Sequence, residues 1–297
     1  MDYLEQPSEN TPMQEIKDPI LEQNGVRLFV KRDDLTHPEV SGNKWRKLKY
    51  NLLKAKEEGY STLLTFGGAY SNHIHAFAAA GKLYGMKTIG VIRGEEHLPL
   101  NKTLNFATSQ GMELTYLDRT SFRDYKAAIP KLREQFGDFY MAPMGGSNQL
   151  ALEGVAELGE EINNFNQKVD YVCAACGTGG TLAGLINSIK SNTKIIGFPA
   201  LKGGEFLYDD INGFLSSKEN ININWSLNTT YHFGGYAKKK PELLAFMEDF
   251  KEKHHIELER IYTGKMMYGV IDLIKNGFFE RGSIIVALHS GGLQINR

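Results

Sequence analysis

The strongest constraint on the fold is a succession of strand-like runs, each followed by a helical pattern. STLLTFGG leads to a helix over Ser71–Leu83, and MKTIGVIRG to one over Leu100–Ser109. MELTYLD leads to a helix over Phe122–Gln135, and DFYMAPMGG to one over Gln149–Ile162. When a helix follows each strand, the chain returns to start the next strand in the same direction, which predicts a parallel open sheet. The pattern resumes with VDYVCAACG, a turn into a helix from Thr181, the strand KIIGFPAL, helices over Pro241–Lys253 and Met266–Lys275, and the closing strand of GSIIVALHSGG. The first 26 residues read as irregular, RLFVK as a strand, and Lys44–Glu58 as a helix with Trp45, Leu48 and Leu52 on one face. Lys202–Lys240 gives no clear pattern. The expected organisation is a small α/β domain at 48–147, inserted in a larger domain made of 1–47 and 148–297.

Charge and composition narrow the function classes. Lys and Arg number 34 and Asp and Glu 35, so the net charge is −1 and no basic field for nucleic acid exists. No apolar run approaches the ~20 residues that span a bilayer, and the polar start MDYLEQPSENTPMQEIKD does not read as a targeting segment. A cytoplasmic enzyme or binding protein is expected. The two cysteines, Cys173 and Cys176, sit in a strand rather than at a helix start, and no further cysteines are available to complete a zinc site. They read as small buried residues, and no metal site is expected.

In open parallel sheets, ligands bind at the carboxyl ends of strands. Four turns fall there: GGAYSN at 67–72, GGSN at 145–148, CGTGGT at 176–181 and HSGG at 289–292. The third can converge backbone N–H groups at a helix start, as a phosphate requires, with Thr178 and Thr181 adding hydroxyls; it serves equally as a plain strand-to-helix turn. Leu182 stands where a third glycine of a dinucleotide fingerprint would fall, and no P-loop motif occurs. Lys44 opens a helix beside Arg46 and Lys47. The helix dipole and the like charges favour its free amine, which capture of a carbonyl needs. By composition alone it is one more cation on a basic helix. Ser71, Asn72 and His73 open another helix, where Ser71 is either an N-cap or a group beside a substrate.

Taken together and in order, SGNKWRKL, GGAYSNH, GTGGTLAGL, YTGK and HSGG resemble the pyridoxal-phosphate enzymes of the tryptophan-synthase-β fold type. More narrowly, they resemble the 1-aminocyclopropane-1-carboxylate (ACC) deaminase / D-cysteine desulfhydrase family. The resemblance runs from about Val26 to Leu293. It implies an α/β fold of two open twisted sheets flanked by helices (fold type II), pyridoxal 5′-phosphate as cofactor and a homodimer. It also implies that Lys44 joins the cofactor covalently and Asn72 bonds the ring hydroxyl oxygen. Ser71, Asn72 and His73 would donate to the substrate carboxylate through backbone or side chain. Thr178, Gly179, Gly180 and Thr181 would hold the 5′-phosphate. Tyr262 and Tyr236 would face the substrate, with Thr263 at the pyridine nitrogen and Ser290 near the same ring edge.

The implied reaction is deamination of a small amino acid with elimination: D-cysteine to pyruvate, sulfide and ammonia, or ACC to 2-oxobutanoate and ammonia. YTGK and SNH look like the desulfhydrase branch, whereas ACC deaminases tend to carry YEGK and SNQ. Tyr70 stands where the family usually has Gln, and Met266-Met267-Tyr268 replaces smaller residues. The competing readings are a serine/threonine dehydratase or cysteine-synthase-like enzyme, and a non-catalytic pyridoxal-phosphate-binding protein.

Overall fold

The computed structural model describes residues 10–190, 192–215 and 224–296. Strands β1 (Met13–Ile16) and β2 (Arg27–Lys31) flank helix α1 (Pro19–Asn24). Helix α2 (Asn43–Glu57) follows, then β3 (Thr62–Gly68), α3 (Asn72–Leu83), β4 (Lys87–Arg93), α4 (Lys102–Ser109) and β5 (Met112–Leu117). Next come α5 (Ile129–Phe136), β6 (Tyr140–Met141), α6 (Gln149–Asn163), β7 (Tyr171–Cys176), α7 (Gly180–Ser188) and β8 (Lys194–Pro199). The chain ends with α8 (Leu207–Leu215), β9 (Trp225–Leu227), α9 (Pro241–His254), α10 (Thr263–Lys275) and β10 (Ile284–Leu288).

Two sheets form. The smaller has the order β5-β4-β3-β6 and is parallel throughout. The larger has the order β1-β2-β10-β7-β8-β9, parallel except for β1, which pairs antiparallel with β2 at one edge. Strand alternation sends β7 residues to opposite faces. Tyr171, Cys173 and Ala175 pack with Met266, Met267 and Val270 of α10. Val172, Ala174 and Cys176 pack with Leu152 of α6 and Leu182 and Leu185 of α7. The two cysteines therefore lie on opposite faces of one strand, free and buried, with burial pushing the Cys176 thiol up to about 12. The small sheet is covered by α2, α3 and α4 on one face, around Leu48, Phe77 and Leu104, and by Phe122, Leu132 and Phe139 on the other.

Three local expectations are corrected. The N-terminal segment is not irregular. Asp18 caps α1 by accepting from the Ile20 N–H, Pro19 fills its first turn and Gly25 closes it, while β1 is an edge strand too short to show a period. The helix expected over Phe122–Gln135 is broken. A 3₁₀ stretch covers Ser121–Ala128 with Asp124 off the helical region, and α5 restarts at Ile129 with Pro130, which has no N–H to continue an earlier ladder. The unread Lys202–Lys240 stretch holds α8 and β9; its residues 216–223 lie outside the described ones.

Helix α2 carries the site and is anchored by charge. Arg46, fully buried, bonds Asp33 at 3.0 Å and Glu161 of α6 at 2.6 Å, and Lys31 of β2 reaches the second oxygen of Glu161. Thr11 donates to the same Asp33 carboxylate at 2.8 Å. Removing one partner leaves a buried charge unmatched, which costs roughly 3–5 kcal/mol. Asp33→Asn is therefore expected to lower the unfolding free energy by about that amount in urea titration; a loss below about 1 kcal/mol would mean the cluster is no more than a solvated pair.

Candidate active site

All four glycine turns meet in one cavity of about 430 Å³ at the carboxyl ends of both sheets. Its wall includes Lys44, Lys47, Ser71, Asn72, His73, Thr178, Gly179, Thr181, Tyr236, Tyr262 and Ser290.

The start of α2 is fixed by a close backbone approach. Gly42 precedes the helix at φ +61°, and a Cβ there would lie 2.1 Å from the Ser290 carbonyl oxygen. The Asn43 N–H donates to that same oxygen at 3.3 Å, and the Asn43 side chain donates to Thr181 Oγ1 at 2.9 Å. One residue thus ties the lysine turn to both the threonine-glycine turn and the HSGG turn. Lys44 projects into the cavity, its Nζ 3.2 Å from Asn43 Oδ1. Burial pushes its ammonium down to about 8, against the opposing charge of Glu259. The direction is the one expected from the sequence, but the cause differs. Arg46 is spent on Asp33 and Glu161, so desolvation, rather than a neighbouring cation, favours the free amine.

The threonine-glycine turn forms an anion cradle. Gly179 takes a left-handed conformation at φ +78° and opens α7, whose first N–H groups have no helical acceptor. Lys47, three residues after Lys44 and on the same side of α2, places its Nζ 2.9 Å from Ser147 Oγ and 3.5 Å from Thr178 Oγ1. Ser147 and Thr178 bond each other at 2.7 Å. Lys47 is 2% exposed, and no carboxylate among the described residues pairs with it. Burial and Lys44 push its pKa well below the usual lysine value. A buried, unmatched amine beside a helix start and two hydroxyls lacks only an anion, so this donor set fits the phosphate of pyridoxal 5′-phosphate. Gly180, at the first turn of α7, leaves room beside Ser147 Oγ and Lys47 Nζ that a Cβ would fill.

In the same cavity, Ser71 Oγ accepts from the N–H groups of His73 at 3.2 Å and Ile74 at 3.4 Å, an ordinary N-cap for α3. Asn72 accepts from Gln294 at 2.9 Å through Oδ1, leaving its Nδ2 as a donor. Tyr262 stands edge-to-face with Tyr236, ring centres 6.0 Å apart. Burial and contact with Tyr236 push the Tyr262 phenol well above its usual value, so it keeps its proton at neutral pH.

Two expected roles do not match the placement. The Thr263 side chain does not line the cavity. It is fully buried, its Oγ1 accepting from the Glu259 N–H at 2.8 Å and donating to the Glu259 carbonyl at 3.3 Å, so it offers nothing to a ring nitrogen. The His73 imidazole is not a donor to a carboxylate. Thr65 Oγ1 gives its hydrogen to the Ala142 carbonyl and must accept from His73 Nε2, which leaves Nδ1 as a bare acceptor. Burial and the charges of Lys44 and Lys47 keep this ring neutral. The sequence reading missed Asn43, Lys47, Ser147 and Glu259. SGNKWRK contains the Lys47 signal, a second lysine one turn on; Glu259 is marked only by its contacts. Its carboxylate accepts from the N–H groups of Ile261 at 2.6 Å and Tyr262 at 2.8 Å, and burial raises it to about 7.

Comparisons with known proteins identify the family. The family model described as "Pyridoxal-phosphate dependent enzyme" matches residues 4–291. A Pyrococcus abyssi protein, provisionally named 1-aminocyclopropane-1-carboxylate deaminase, is 31% identical over 91% of this chain and 85% of its own length. A "Bifunctional D-cysteine desulfhydrase/1-aminocyclopropane-1-carboxylate deaminase" of Arabidopsis thaliana is 29% identical over 91% of this chain and 73% of its own. The crystal structure of an ACC deaminase homologue superposes with a TM-score of 0.81 at 28% identity, covering 98% of this chain and 91% of that one. The processed threonine deaminase isoform 2 of Solanum lycopersicum shares the fold alone, with a TM-score of 0.70 at 19% identity over 96% of this chain and 79% of that one. The chain belongs to the pyridoxal-phosphate dependent enzyme family.

Proposed function

We propose that this protein deaminates a small amino acid to ammonia and a 2-oxo acid, either with elimination of sulfide from D-cysteine or with opening of the ring of ACC. The observation that carries this reading is a half-buried amine of lowered pKa, Lys44, in one cavity with an anion cradle, a helix-capping serine and a protonated tyrosine pair. The names of the relatives support the same chemistry.

The chemistry that pyridoxal phosphate supplies when bound is an aldehyde for an amine and electron withdrawal from the carbon next to it. Lys47, Thr178, Thr181 and the start of α7 would hold its phosphate, and Asn72 and Ser290 would orient its ring. Lys44, in its free-amine form, takes the proton from Cα of D-cysteine and later returns one; ACC has no hydrogen on Cα, and there the same amine would take a proton from a ring methylene. Tyr262, keeping its proton, would give it to the departing sulfur of D-cysteine, with Tyr236 behind it. The unengaged Asn72 N–H at the start of α3 binds the substrate carboxylate, and Ser71 Oγ lies beside the reacting carbon. Each acid–base role is worth ~10²–10⁴ in rate.

We further propose that the chain works as a homodimer in the cytoplasm, divided into a small domain at 48–147 and a large one from 1–47 and 148–297. The family resemblance supports this reading. No helix among the described residues is long and apolar enough to cross a membrane.

Three outcomes are expected. Lys44→Ala abolishes the visible cofactor absorbance and nearly all pyruvate formation from D-cysteine while leaving the circular-dichroism spectrum intact; a variant that keeps both absorbance and turnover ends the assignment. In cofactor-free protein, a lysine pKa lowered to about 8 leaves its amine protonated below that value and free above it. Acylation of Lys44 should therefore rise through about pH 8, with about 300-fold more free amine at pH 7 than an ordinary lysine, as read by peptide mass spectrometry; a midpoint near that of surface lysines contradicts it. Lys47→Met should weaken cofactor retention about 10–100-fold, the worth of a charge-assisted bond. Equilibrium dialysis checks this, and kcat at saturating cofactor should change far less.

A further inference from the structure

Three cationic side chains reach the cavity wall: Lys44, Lys47 and Arg93. The first two have the roles argued above. Arg93 ends β4 in the smaller sheet and is solvent-exposed. Its Cα pairs in register with Gly68 of β3, one strand over from the turn that leads to Ser71. Neighbouring strands lie about 4.8 Å apart, so the guanidinium belongs to the serine side of the cavity mouth. The space beside Gly68 is open: a Cβ there would meet nothing within 4 Å.

No carboxylate among the described residues forms an ion pair with Arg93. The one acidic residue of the cavity wall, Glu39, bonds His75 at 2.7 Å. The Arg93 charge is felt across the mouth at Tyr236. Burial pushes that phenol up, and its bond to Tyr262 and the positive charge of Arg93 pull it back. Tyr236 comes from the segment after β9, the edge strand of the larger sheet, and both residues line the cavity and are open to solvent. A planar guanidinium at a cavity mouth, with five donors and no acidic partner, is suited to bidentate capture of an oxyanion.

We propose that Arg93 makes the cavity mouth a subsite for a second negative charge, so that besides D-cysteine or ACC this enzyme takes small amino acids bearing a carboxylate, sulfonate or phosphate on the side chain. The inference rests on the function proposed above and goes beyond it by adding a class of substrate. The α-carboxylate is already provided for by the start of α3, and the cofactor phosphate by the cradle at the start of α7. A side-chain oxyanion is the remaining negative group that the mouth can select.

The test is a spectral titration of the cofactor-loaded protein with aspartate against asparagine and O-phosphoserine against serine, each as both enantiomers. Both members of a pair share the α-carboxylate and α-amine, so the ratio of their affinities isolates the side-chain charge. The wild-type protein should bind the charged member at least about tenfold more tightly in one enantiomeric series, the worth of one charge-assisted bond. Arg93→Gln should bring that ratio close to one, and Arg93→Glu should invert it. A wild-type ratio near one, or a preference that survives Arg93→Gln, overturns the proposal. Failure of the underlying function looks different: no visible cofactor band, or no response to any amino acid, neutral or charged.

Discussion

A buried guanidinium holds this site together. Arg46 lies between Asp33, from the loop after β2, and Glu161, on α6, with Lys31 completing the cluster. In a helix, positions 44 and 47 share a face, while 46 points elsewhere. The charges that clamp α2 to the large sheet therefore leave Lys44 and Lys47 free to enter the cavity. Burying so many ionised groups is costly, and the arrangement is stable only because each has partners. Its benefit is positional: two lysines of one helix turn are delivered to the reacting carbon and to the anion cradle at a fixed separation.

The turns are then stitched to each other rather than to the bulk of the protein. Asn43 bonds Thr181 through its side chain and Ser290 through its backbone, and Asn72 is oriented by Gln294. Gly42 lets α2 approach the Ser290 carbonyl far more closely than any side chain would allow. Each contact joins segments distant in sequence, so the geometry exists only when both sheets are formed. A site built this way holds its groups in place through rigid neighbours.

Burial sets the protonation of the site. It pushes the Lys44 and Lys47 amines down, keeps His73 neutral, raises Glu259 to about 7 and raises the Tyr262 phenol. In each case desolvation disfavours the charged form. Lys44 and Glu259 are thus brought within about a pH unit of neutrality, and Glu259, on the N–H groups of Ile261 and Tyr262, holds the tyrosine turn. A doubly charged phosphate entering beside Lys47 would favour its ammonium form.

By itself the sequence determined the alternating strands and helices, the four glycine turns at strand ends, and a set of ordered motifs specific enough to indicate the cofactor and Lys44. These signals are local, since turn chemistry and hydrophobic period are written in adjacent residues. Edge strand β1 and the break at Pro130 were harder to read because a four-residue strand shows no period and an amphipathic pattern continues across a proline. Only the tertiary structure decided what meets what. It assigned the Thr263 hydroxyl to the Glu259 backbone, fixed the His73 imidazole as an acceptor, placed Lys47 and Ser147 together and brought Arg93 to the mouth. The reason is physical: a side chain's role depends on its partners and on how much water it loses, and both come from segments that the sequence keeps far apart.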